Sequence, residues 1–216
     1  MNIKFRYLQA DEVEARVNTI KEKGLTLLLY KDARCDMNIL DETVGATNWM
    51  RAHTRDNANC IVSIWDDEKK QWISKEDTGT ESFTEKEKGL ASDSFKRACF
   101  NWGIGRELYT APFIWVPAQD KEGSLNYETY DNNGKIATRT QFQVTYMRVE
   151  NGKITALNIE STKPRKTVYV FGNVLGSKDV CKVCGRVVSP EHAERSKQAN
   201  QGRVYCSGTC KNNDRD

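Results

Sequence analysis

TEKEKGLASDSFKRACFNWGIGRELY, residues 84–109, reads as one amphipathic helix followed by an abrupt stop. Ala91, Phe95, Ala98 and Trp102 recur at i, i+4, i+7 and i+11, and Cys99 widens the stripe, so at ~100° per residue they share one face. That face is expected to be buried. Thr84 with Glu87 has the spacing of a capping box, and Gly103 and Gly105 supply positions where a left-handed backbone can end the helix. Lys96 and Arg97 project ~100–200° away from Phe95, outside the stripe. Most such doublets are merely solvated, yet apolar packing does not ask for two adjacent cations here.

Upstream of this helix the chain reads as α+β. From Asp11 to Gly24 the positions Val13, Val17 and Ile20 suggest a helix, with Asp11 and Glu14 at its start and Gly24 at its end. LTLLLY, residues 25–30, is a continuous apolar run of strand length and suggests a buried strand. Asp32 can cap a short second helix carrying Ile39, Leu40 and Val44 and closed by Gly45, with Arg34 near its start. TNWMRAHT, NCIVSIW and KQWISKE then alternate apolar and polar residues, and the polar clusters at 55–59 and 66–70 read as hairpin turns. An antiparallel meander therefore precedes the helix and is expected to pack against it.

Downstream, TAPFIWVP is bounded by Pro112 and Pro117 and reads as an extended linker strand. Residues 119–135 are rich in turn formers and read as an exposed loop. QFQVTYMRVE and KITALNIES flank Asn151-Gly152, a pair suited to a two-residue hairpin turn with positive φ at both positions, and KTVYVFG is expected to join them as a third strand. GNVLGSKDV reads as a linker. The expected division is a domain over residues 1–175 and a separate unit over 176–216.

The 216 residues suit one ordinary domain and an appendage, and 38% hydrophobic content with five tryptophans permits a real core. No window approaches the ~18 consecutive apolar residues of a spanning helix, and the N-terminal stretch lacks the apolar region of a secretory signal, so a cytoplasmic setting without membrane is expected. Residues 1–180 carry 26 Lys/Arg against 26 Asp/Glu, and residues 181–216 carry 7 against 4. The net charge of +3 thus resides in the tail. Polyanion binding by the larger part must come from local clustering of cations, because screening confines their reach to about 10 Å.

Of seven cysteines, Cys35, Cys60 and Cys99 are scattered through apolar-patterned segments, and four lie near the end as Cys181-x-x-Cys184 and Cys206-x-x-x-Cys210. Two short-spaced pairs across a polar stretch are what a tetrahedral zinc site requires, each thiolate lying ~2.3 Å from the ion. Four thiolates leave no open position, so the zinc is expected to be structural, standing in for a core that so short a tail cannot build. His192 has poor spacing to act as a ligand. His53, between Arg51 and Arg55, has no identifiable catalytic partner.

GLASDSFKRACFNWGIGRELY resembles the central helix of the Rad-fifty-two/twenty-two family of single-strand annealing proteins, and is most similar to the short phage and prophage members of Sak type. YKDARCDMNILDETVGATNW looks like the family's second segment, and the resemblance covers roughly residues 8 to 116. It implies the annealing-domain fold, in which the meander packs on the long helix. It also implies ATP-independent annealing of complementary DNA strands in recombination and repair, in a homo-oligomeric ring, in a bacterial cytoplasm if phage-encoded. By the same resemblance Lys96 and Arg97 line a groove for the single-strand backbone, Arg34 sits at its inner side, and Lys88 matches a further basic position. Where some cellular members have another arginine this chain has Phe100, and Arg106 is the candidate for replacement charge. Arg51 and Arg55 complete the candidate DNA contacts. YCSGTCKNN resembles half of a treble-clef finger.

Other classes stay open on the residues alone. A coating adaptor could recruit a single-strand-binding, replication or recombination partner through its finger, and a metal-dependent nuclease would need convergent carboxylates, for which Glu85 and Glu87 are a superficial match. No phosphate-cradling G-x-x-x-x-G-K-[ST] loop is present, and GIGREL lacks the third glycine of a dinucleotide fingerprint, so no enzyme is expected. Trp49, Trp65 and Trp72 could stack on bases, but their alternating strand positions suit a core.

Overall fold

Val13–Lys21 is a strand, and the helix that Val13, Val17 and Ile20 suggest is not formed. In the structure, a computed structural model that describes residues 3–80, 86–172, 174, 181–183, 188 and 190–214, Ala10–Glu12 make one 3-10 turn and the chain then extends as β1 (Val13–Lys21). The same segment also carries a period of two, with Val13 and Ala15 buried and Glu14 and Arg16 exposed between them. Its β-branched residues suit a pleated surface, and pairing with another strand decides between the two periods.

The elements that follow are β2 (Gly24–Lys31), α1 (Ala33–Val44), β3 (Trp49–Thr54), β4 (Asn59–Asp66), β5 (Gln71–Thr78), α2 (Lys86–Trp102), β6 (Ile114–Pro117), β7 (Tyr130–Asn132), β8 (Lys135–Ala137), β9 (Phe142–Glu150), β10 (Lys153–Thr162), β11 (Arg165–Gly172), α3 (Pro190–Ala199) and α4 (Gly208–Asn212). The fold is α+β with mostly antiparallel sheets and few helices. Packing divides it into one unit of Met1–Val13 and Tyr30–Thr110 and another of Glu14–Leu29 and Ala111–Asp216. Both units draw on the stretch 1–175.

In the first unit β3, β4 and β5 form a three-stranded antiparallel sheet with α2 packed on β4 and β5. Arg51, Val62 and Lys75 lie opposite one another across the strands, as do Trp49, Ile64 and Ile73. Cys60, Val62 and Ile64 of β4 are fully buried, and so are Phe95, Ala98 and Cys99 of α2. Trp102 Nε1 donates to the Val62 carbonyl at 2.9 Å, and Phe95 stacks on Trp49 with centroids 6.1 Å apart. Of the capping pair, Thr84 lies outside the described residues. Gly103 and Gly105 follow the helix with φ of 109° and 75°.

The turns form as their side chains dictate. Asp32 caps α1 by accepting from Arg34 N at 2.7 Å, and Gly45 closes it with φ of 86°. Asp66 Oδ1 accepts from Glu68 N and Lys69 N in the β4–β5 turn.

In the second unit six strands run in the order β11-β10-β9-β1-β2-β6. Asn151 and Gly152 join β9 to β10 with φ of 51° and 76°. The expected linker strand is β6, paired with β2 along its length. β2 is one-sided, a departure from the buried strand expected: Leu25 and Leu27 are buried while Leu28 is 44% exposed. Residues 119–135 hold more structure than the loop expected there, because Asp120 Oδ1 accepts from Glu122 N and Ser124 N and β7 and β8 make a hairpin. Tyr127 is 1% exposed and packs edge-on against Phe142. Among the described residues no helix is long and apolar enough to cross a membrane.

Candidate nucleic-acid interface and metal centre

The helical step of ~100° sends the two cations of α2 to different neighbours. Lys96 is half-buried, 3.9 Å from Asp93 Oδ1, and turns toward α1, where its charge reaches Asp32 and Asp36. Arg97 is exposed and turns toward β5, its Nε 3.3 Å from Asp77 Oδ1. Arg34 pairs with Asp32 at 2.9 Å. Hydrogen bonds from Arg34, and then the charges of Arg34 and Lys96, hold the Asp32 carboxyl below the usual carboxylate range. Asp32, the N-cap of α1, is thus paired with Arg34 and feels the charge of Lys96, whose own ion pair is with Asp93.

The other candidate cations sit around α2 in separate settings. Lys88 is exposed on its first turns. Arg51, on β3, lies 4.9 Å over the Phe95 ring. Arg55 occupies the β3–β4 turn with φ of 51°. Arg106 closes the far end: Nε donates to the Phe100 carbonyl at 2.8 Å and an Nη to the Asn101 carbonyl at 2.7 Å. Lys75 Nζ adds a bond to the same Asn101 carbonyl at 2.8 Å, so two cations satisfy the orphan oxygens of the helix end.

The tryptophans are not the closed core that alternation suggests. Trp49 and Trp65 are half-buried, and Trp72 is 39% exposed with its ring edge-on to Trp65 at 5.5 Å. The Trp49 and Trp65 indoles donate to Asp41 at 2.6 Å and Asp67 at 2.9 Å. His53 is half-buried, with Ser94 Oγ 3.4 Å from its Nδ1, and burial, then the Arg51 charge, holds its pKa below the ordinary value.

No protein-family model, curated protein or solved structure matches this chain. Among the described residues one group of three or more potential metal-ligating side chains comes together: the sulfurs of Cys181, Cys206 and Cys210 lie within 4.8 Å of one another. The Cys206 and Cys210 sulfurs are 3.5 Å apart. Tetrahedral thiolates ~2.3 Å from one ion stand ~3.8 Å from each other, so the trio fits a shared metal. Cys184 lies outside the described residues. His192 is not in the cluster; its Nε2 is 3.0 Å from the Tyr205 carbonyl oxygen.

Sequence reasoning missed the buried ion pair of the first unit. Lys31, at the end of β2, is 8% exposed and its ammonium contacts Asp36 Oδ1, while Asp36 is fully buried. Asp36 Oδ2 has no hydrogen-bond partner among the described residues. Burial pushes the Asp36 carboxyl up to about 6, against the pull of Lys31. Gly105 makes room for this pair: a Cβ there would fall 2.5 Å from Lys31 Cε.

Proposed function

We propose that this chain binds single-stranded DNA and anneals complementary strands without ATP, as the Rad-fifty-two/twenty-two resemblance of residues 84–109 implies, with the meander and its amphipathic helix serving as the annealing domain. The observation that carries the reading is that Arg34 and Lys96, from separate helices, both act on the Asp32 carboxyl, Arg34 through an ion pair at 2.9 Å and Lys96 through its charge alone. In this reading a phosphate replaces the surface carboxylates that these cations now face. Exposed pairs of this kind contribute only ~0–1 kcal/mol, so the exchange is cheap. Binding that holds the backbone and leaves bases open suits annealing, and is steeply salt-dependent. A ring of identical subunits sets such grooves end to end and covers the sheet edges.

Cys181, Cys184, Cys206 and Cys210 would hold zinc in a treble-clef-like finger, the ion supplying structure and no reaction. Replacing Lys96 and Arg97 together by alanine is expected to weaken single-strand affinity about tenfold and to lower the slope of log affinity against log salt by ~1.4, at ~0.7 per lost contact. The thermal midpoint should move by no more than ~2 °C, since Arg97 is exposed and the half-buried Lys96 is paired with Asp93 and is not part of the apolar stripe. Anisotropy titrations across a salt series measure both quantities, and an unchanged slope removes the doublet from the site.

A further inference from the structure

Tyr109 is 74% exposed, yet it is held in place. It belongs to the 3-10 turn Arg106–Thr110 that follows α2, where Leu108 N donates to the Gly105 carbonyl at 3.2 Å and the Thr110 hydroxyl to the Glu107 carbonyl at 2.7 Å. Glu107 anchors the turn from within: it is buried, and its Oε1 accepts from Leu8 N at 2.7 Å. Phe100, near the end of α2, backs the Tyr109 ring with centroids 4.6 Å apart and planes inclined by 53°.

Side chains at i and i+3 of a 3-10 turn eclipse one another, so Arg106 and Tyr109 leave this turn on the same side. The Arg106 guanidinium carbon lies 5.6 Å from the Phe100 centroid, and its bonds to the Phe100 and Asn101 carbonyls fix its position. Both of those partners are neutral. Among the described residues no carboxylate pairs with Arg106, in contrast to Arg34, Lys96 and Arg97, which face Asp32, Asp93 and Asp77.

We propose that Tyr109 is a stacking seat for one base of a single DNA strand, with Arg106 beside it as the contact for the adjoining phosphate. The reading of the chain as a single-strand binder, on which this rests, names the polymer; the geometry of the turn assigns which part of it meets Tyr109. An aromatic ring already backed by another ring loses little side-chain freedom when a ligand covers it. An open ring face next to a guanidinium that keeps its charge suits a flat π-system joined to an anion, which each nucleotide of a strand supplies. A guanidinium has five N–H donors, so Arg106 can hold its two carbonyls and still donate to phosphate oxygens. Stacking engages the face of a base, whatever its identity, and leaves its pairing edge open, as annealing requires.

The test compares a labelled oligothymidylate with an abasic oligomer of equal length, which keeps the sugar-phosphate chain and lacks the bases. Anisotropy is read on the full-length protein across a chloride series. Y109L, which keeps an apolar side chain against Phe100, is expected to bind the oligothymidylate about tenfold more weakly, with its salt slope unchanged because no ion pair is lost. Its affinity for the abasic oligomer should equal that of wild type. Y109F is expected to bind both oligomers as wild type does, since the ring and not the hydroxyl makes the contact. Unchanged oligothymidylate binding in Y109L overturns the proposal and leaves the exposed ring to a protein partner. Equal losses on the two oligomers overturn it as well, because the ring would then act on the backbone or on the fold. Y109F as weak as Y109L does the same, by giving the contact to the hydroxyl. Wild type that binds no oligothymidylate removes the single-strand reading and this inference together, whereas wild type that binds no better than Y109L removes the stacking alone.

Discussion

Replacing Lys31 by methionine is expected to destabilise the first unit by about 3–5 kcal/mol, because it leaves Asp36 buried without its counter-charge. Asp36 is fully buried and already has one oxygen without a hydrogen-bond partner among the described residues. Removing both charges together, as in K31M/D36L, should recover most of the loss, since an apolar pair of similar volume carries no desolvation cost. The pH dependence has a definite sign. Burial is the main influence raising the Asp36 carboxyl to about 6, and Lys31 opposes it, so in K31M the carboxyl rises further. The deficit is then largest where Asp36 must be ionised, near pH 8, and shrinks as pH falls toward 6, where the further-raised carboxyl of K31M has already taken up its proton. Denaturant titrations of wild type, K31M and the double variant at pH 8 and pH 5 measure this. An equal deficit at both pH values would show that the cost is packing and not charge.

If the cysteine cluster holds zinc as proposed, removing the metal should have the second large effect. The finger's core among the described residues is Cys181, Val188, Ala193 and Val204, with Cys206 and Cys210 packed against it. So small a cluster cannot offset the ordering of its segment, whereas a structural zinc ion contributes ~10–16 kcal/mol of apparent binding energy. A chelator, or C206S, is expected to unfold the finger. C184S is expected to do the same, because four thiolates are needed for a closed tetrahedral shell. Metal stoichiometry and amide exchange report both outcomes. Full metal retention in C184S would take that residue out of the site.

The parts of the fold that could be read from the sequence are those with local causes. Asp32 and Gly45 bound α1, Asn151-Gly152 turns the β9–β10 hairpin, and of the stripe Ala91, Phe95, Ala98, Cys99 and Trp102 the middle three are fully buried while Ala91 and Trp102 are half-buried. β1 was misread because Val13, Val17 and Ile20 fit a helical period while Val13 and Ala15 fit a strand, and only its partner settles the matter: Ala15 pairs with Phe142. The Lys31–Asp36 pair was invisible for a similar reason. Asp36 looks like an ordinary acid in a helical first turn, and nothing local says that the end of β2 will bury a lysine against it. The divergence of Lys96 and Arg97 was available from the ~100° step, whereas their carboxylate neighbours on other elements were not. The cysteine cluster was the most legible part of the site, since short-spaced pairs bring sulfurs together through the chain itself.

In the proposed function, cations around α2 hold a strand by its backbone while its bases stay free to pair. Mixing the purified protein with two complementary labelled strands, without any nucleoside triphosphate, tests it most directly. Duplex should form several-fold faster than in buffer, the acceleration should fade with rising salt, and K96A/R97A should lose most of it. Wild-type protein that binds the strands yet leaves their pairing rate unchanged or slowed would contradict the account.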